Sequence, residues 1–180
     1  TDGDGTSDAI ETNVFAWCSC GVFLNTYAGA GYTNFVVGNW IGRDALGRAA
    51  ANDTGIHVRG DSTDQEIRDN QVSENMTGLR VSGDATLSGT SGFNCIVDNT
   101  WGLTHDGTAV GLSVANNYWG AADGPSGVGP GSGDPVLVTG SGSVKFSAWT
   151  AHPREACVFV FVDGFESGTT DAWDSTLGGR

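Results

Sequence analysis

Basic side chains are scarce: 8 Lys and Arg stand against 21 Asp and Glu, a formal charge of −13. That balance repels nucleic-acid phosphates and anionic lipid, and no nucleic-acid partner is expected. It suits calcium, or simply solubility. No hydrophobic run reaches transmembrane length, so no membrane span is expected. A basic, then apolar leader is missing from the N-terminus. The chain opens on Thr1 without Met, as expected of a mature or trimmed product. No long stretch has helical spacing of its apolar residues. Proline is limited to 4 residues, whereas glycine reaches 29 of 180. Gly, Asn, Thr, Ser and Val dominate, which favours strands joined by many turns.

Four cysteines are present, Cys18, Cys20, Cys95 and Cys157. An even count with few lysines fits an oxidising compartment, and at least one disulfide is expected. The connectivity stays open. Cys18-Ser19-Cys20 has no second Cys or His pair at zinc spacing.

A periodic signal runs through the middle of the chain. Gly55-Ile56-His57-Val58 returns as Gly78-Leu79-Arg80-Val81 and then as Gly102-Leu103-Thr104-His105. Downstream, Asn70-Gln71-Val72 returns as Asn94-Cys95-Ile96 and then as Asn117-Tyr118-Trp119. The intervals are 23 or 24 residues throughout. A period of this size marks a stacked repeat. Gly21-Val22-Phe23-Leu24 reads as an earlier strand start, and Asn39-Trp40-Ile41 as an earlier Asn triplet. Asn39 lies 31 residues before Asn70, and the excess fits an inserted loop over residues 43–50.

Stacking such units about 4.8 Å apart gives a solenoid of about four to five coils, with parallel strands in each wall. Ile56, Leu79 and Leu103 should form an inward aliphatic ladder. Asn39, Asn70, Asn94 and Asn117 should form a second, polar ladder at an inward bend, where their amides satisfy buried turn groups. His105 falls where Val58 and Val81 point inward, as expected of a last, less buried coil. Val136-Leu137-Val138 and Val144-Lys145-Phe146 are the last strands of the body. The apolar run from Cys157 to Val162 reads as a further strand.

These residues resemble the right-handed parallel β-helix repeat proteins of bacteria. Gly38-Asn39-Trp40-Ile41-Gly42, followed by the Ala-rich loop, looks like one of their coils. Asn117-Tyr118-Trp119-Gly120-Ala121-Ala122-Asp123-Gly124-Pro125 is similar to the segment that closes many such helices, with Val144-Lys145-Phe146-Ser147-Ala148-Trp149 as its sequel. The resemblance implies an all-β, right-handed parallel β-helix over residues 14–150. Before it lies an acidic segment, 1–13; after it come a strand and tail, 151–180. The tail segment Asp163-Gly164-Phe165-Glu166-Ser167-Gly168 resembles a C-terminal segment of secreted proteobacterial proteins, which implies export or surface attachment. The fold itself hosts lyases, hydrolases, adhesins and surface-layer proteins, so it does not name an activity.

Asp2, Asp4, Asp8 and Glu11, with Gly5, match positions 3, 5, 9, 12 and 6 of a twelve-residue calcium loop. The segment resembles half of a thrombospondin-type calcium repeat, so calcium is the expected cofactor there. An acidic, mobile N-terminus and a helix-opening segment are the other readings. Along the repeat, Asp61 and Asp84 hold matching positions, and Asp106 stands opposite Arg59 and Ser82. Carboxylates two rungs apart could serve an inverting hydrolase, and Arg80 or Arg59 could take a proton in a lyase. Against this, Asp is common where strands end in turns. His57, His105 and His152 share no ladder position. No Gly-x-Ser-x-Gly precedes a helix.

The expectation is therefore a non-catalytic, extracellular or cell-surface scaffold with a structural or adhesive role. Self-assembly through the solenoid ends and the C-terminal strand is expected, with surface polysaccharide as a further partner. A calcium-dependent polysaccharide lyase or glycoside hydrolase, and a passive carbohydrate-binding module, are the alternatives.

Overall fold

A computed structural model describes residues 13–26, 33–146, 148–153 and 157. The described chain is all-β. Its strands, in order, are β1 (Val14–Phe15), β2 (Cys20–Thr26), β3 (Phe35–Val37), β4 (Trp40–Ile41), β5 (Thr54–Gly60), β6 (Glu66–Arg68) and β7 (Gln71–Ser73). They continue with β8 (Thr77–Val81), β9 (Cys95–Val97), β10 (Trp101–His105), β11 (Leu112–Ser113), β12 (Pro125–Gly127), β13 (Gly133–Val138) and β14 (Val144–Lys145).

Every pairing between these strands is parallel. From β1 to β8 the chain visits three sheets in rotation, so strands distant in sequence lie side by side. One sheet runs β12-β13-β10-β8-β5-β2 and a second runs β1-β4-β7-β9. The pairs β3-β6 and β11-β14 form two smaller sheets. The register keeps like residues in line. Val22, Ile56, Leu79, Leu103 and Val136 are successive partners. Ile56, Leu79, Leu103 and Val136 are buried, which bears out the aliphatic ladder. In the second sheet Phe15, Ile41, Val72 and Ile96 do the same.

The polar ladder is also present, and longer than the repeat suggests. Asn13 Nδ2 donates to Asn39 Oδ1, Asn39 to Asn70, Asn70 to Asn94 and Asn94 to Asn117, at 2.9–3.0 Å. The backbone N–H of Asn39, Asn70 and Asn94 donates to the same acceptors. The Asn39, Asn70, Asn94 and Asn117 amides also donate to backbone carbonyls, as Asn94 does to Ile67 O. Buried turn groups are thereby paired instead of stranded.

The repeated glycines follow from closeness of the rungs. A Cβ on Gly55 would sit 2.6 Å from Gly78 O, and one on Gly78 would sit 2.9 Å from Gly102 O. Gly42 is tighter still: its φ is +99° and a Cβ would collide with Ser73 O. The inserted loop is held by an antiparallel bridge between Arg43 and Ala49.

His105 departs from expectation. It is fully buried, with Nδ1 against Val81 O at 3.1 Å and Nε2 against Ala109 O at 3.0 Å. Two carbonyls make the inward position acceptable to an imidazole. Cys95 pairs with Cys157, which ties the end of the described chain to β9. The rest of the apolar run, 158–162, lies outside the described residues, as does the tail.

Candidate functional site

The calcium-loop residues Asp2, Asp4, Asp8 and Glu11 lie outside the described residues. Among the described residues no three His, Cys, Asp or Glu side chains are grouped so as to hold a metal ion.

The other candidates gather on the outward face of the six-stranded sheet. Phe23, His57, Arg80, Thr104 and Leu137 are lateral partners on β2, β5, β8, β10 and β13. Alternation along the strands turns them away from the buried Ile56, Val58, Leu79 and Val81. Phe23 and His57 are tilted ring neighbours, with centroids 5.2 Å apart. His57 Nε2 and Ser82 Oγ share a hydrogen bond of 2.8 Å. Partial burial of the imidazole pushes its pKa down, and the Arg80 and Arg59 cations push the same way while Asp106 opposes them. Neutral His57 therefore extends to lower pH than usual.

Arg80 is ion-paired to Asp106, and Thr108 donates to Asp84. Asp84 and Asp106, two of the three candidate carboxylates, are thus engaged just beyond the ends of β8 and β10. Elsewhere Arg43 bonds Glu74 at 2.7 Å, Arg48 bonds Asp44 and Arg68 bonds Glu66. Of the described arginines, Arg59 makes no salt bridge. An exposed guanidinium beside an aromatic pair is suited to a carboxylate-bearing ligand.

Sequence reasoning missed a second polar ladder. Asn52 Nδ2 donates to Asn75 Oδ1 at 2.9 Å, Asn75 to Asn99 at 3.1 Å, and Asn99 to Asp134 Oδ2 at 2.9 Å. Cys18 N caps its first member by donating to Asn52 Oδ1. The signal was there to find: each Asn stands three residues before Gly55, Gly78 or Gly102. Asn52 and Asn75 open Asn-x-Thr sequons, but their amides are buried in the ladder. The final carboxylate of Asp134 is raised to about 6, chiefly by burial, against the lowering effect of the Asn99 bonds.

The two ends of the stack differ. At the C-terminal end, Trp119 is fully buried against Gly102, β12 covers β13, and Trp149 donates to Ala122 O over the loop. At the N-terminal end, β1, β2 and β3 each have a neighbour on one side only among the described residues. There Trp17 is 71% exposed, Phe35 66%, Phe23 50% and Val14 39%. These are half of the exposed large hydrophobic side chains described.

The chain matches no family model, no curated protein and no solved structure. The disulfide between Cys95 and Cys157 fits a non-reducing environment. No helix among the described residues is long and apolar enough to cross a membrane.

Proposed function

We propose that the chain is a right-handed parallel β-helix of about four to five coils, a non-catalytic structural or adhesive domain of the cell surface or extracellular space. The handedness follows from the strong right-handed preference of parallel crossovers. The observation that carries the functional reading is the apolar N-terminal end, where Val14, Trp17, Phe23 and Phe35 flank three strand edges. Open strand edges recruit other chains unless covered.

The occupant is a second copy of this chain, brought end to end about a two-fold axis. β2 then meets β2 of the other copy antiparallel, and the aromatic residues bury each other. A symmetric contact of this kind is the commonest route to a homodimer. Copies at −13 repel one another, so association strengthens with ionic strength. Calcium held by Asp2, Asp4, Asp8 and Glu11 would act in the same direction, by neutralising charge beside Asn13.

Sedimentation of the full chain with and without Ca²⁺ tests this. Concentration-dependent dimers are expected, and Trp17→Asp with Phe35→Asp should return them to monomers. Strict monomers under all these conditions would overturn the reading.

A second reading, passive binding of an acidic glycan, is favoured by Arg59, which alone among the described arginines lacks a carboxylate partner. Retardation in glycan-containing gels without turnover would support it. Release of an ultraviolet-absorbing unsaturated sugar would instead support a lyase.

A further inference from the structure

Cys18 and Cys20 are free thiols in a chain whose other two cysteines are joined. They are separated by one residue at the entry to β2. Trp17, just before them, has a φ of 56°, and the backbone bends over residues 17–19. The bend is held by the next repeat. Trp17 N donates to Ala50 O, Cys18 N to Asn52 Oδ1, and Asp53 and Thr54 N to Cys18 and Ser19 O. Two residues apart, the Cα atoms of an extended chain are at most about 7 Å apart, and a bend brings them into the 4.4–6.8 Å range of a disulfide.

The two thiols differ in setting. Cys18 is exposed, whereas Cys20 is partly buried. Burial is the main cause that raises the Cys20 pKa, and Cys18 contributes in the same direction. Each Sγ now makes only a weak contact of 3.2 Å, Cys18 to Ala16 O and Cys20 to Val22 O.

We propose that Cys18 and Cys20 form a dithiol–disulfide couple, which closes by exchange with a small disulfide such as oxidised glutathione. The exposed Cys18 thiolate attacks one sulfur of that disulfide, forming a mixed disulfide and releasing one thiolate. Cys20 then loses its proton to water and attacks Cys18 Sγ, releasing the second thiolate. The protein loses two electrons and two protons, and the small disulfide becomes two thiols. Exposure selects the attacking sulfur, and burial beside it keeps the resolving sulfur in place. The couple sits on the cap of the second Asn ladder, so its oxidation state acts on the first repeat.

The full chain is equilibrated with mixtures of reduced and oxidised glutathione, quenched with an alkylating reagent and mapped by mass spectrometry. The expected product is a monomer whose 18–20 peptide escapes alkylation and lacks two hydrogens. Cys20→Ser should accumulate glutathione on Cys18, whereas Cys18→Ser should leave Cys20 a free thiol. Alkylation of both sulfurs under conditions that preserve Cys95–Cys157 would overturn the proposal. So would covalent dimers through Cys18, or a stable glutathione adduct on Cys18 of the unmodified chain.

Discussion

Asp134 is the residue where an otherwise amide-built ladder ends in an acid. It accepts from both the N–H and Nδ2 of Asn99, and burial raises its pKa to about 6. A raised carboxyl binds its proton more tightly in the folded chain than in the unfolded one. Its contribution to stability is therefore complete below about pH 4 and is lost as pH rises through about 6. Asp134→Asn keeps the acceptor oxygen and removes the charge. Melting experiments across pH 4–8 should show the variant more stable at pH 7.5 by about 2 kcal/mol, after allowance for solvent screening, with the pH 4–6 slope reduced. The ladder interior behaves differently. Asn94→Ala removes the acceptor of Asn70 N and Nδ2 and the donor to Ile67 O, and should cost about 3 kcal/mol or more in chemical denaturation. Gly78→Ala should cost about 1–3 kcal/mol, because the new Cβ meets the fixed Gly102 carbonyl.

At the scale of strands, Cys95–Cys157 fixes the end of the described chain to β9 across 62 residues. In the chain-entropy account a loop of that length is worth about 4 kcal/mol. Cys157→Ser should lower the melting temperature by several degrees without weakening the β2-β5-β8 pairing, which hydrogen exchange can report separately. Much of this level was legible in the sequence. Constant intervals between Gly55, Gly78 and Gly102 placed β5, β8 and β10 side by side, and the Asn triplets located one polar ladder. Less was legible where the residue type changes along a column. Asn13 precedes the first full repeat, and the second ladder closes on an Asp in a Gly-rich loop. The His57–Ser82 bond joins a strand to the following turn of another repeat, a pairing that neither position announces alone. The disulfide partner of Cys95 required the path of the chain after Trp149, where no repeat operates.

The whole molecule combines a closed end, an apolar end and a large negative charge. Closure rests on Trp119, β12 and Trp149, and the apolar end on Val14, Trp17, Phe23 and Phe35. Burying such side chains favours association by roughly 25 cal/mol per Å² before the costs of ordering and charge repulsion. A net charge of −13 makes that balance salt-sensitive. Six stacked strands span about 24 Å, so end-to-end pairing lengthens the particle far more than side-to-side packing would.

Small-angle scattering of the full chain over a concentration and salt series measures mass and length together. The account predicts a rise to twice the monomer mass with near doubling of the long dimension, favoured by salt or calcium and abolished by Trp17→Asp with Phe35→Asp. Monomer mass and an unchanged long dimension throughout the series would contradict it.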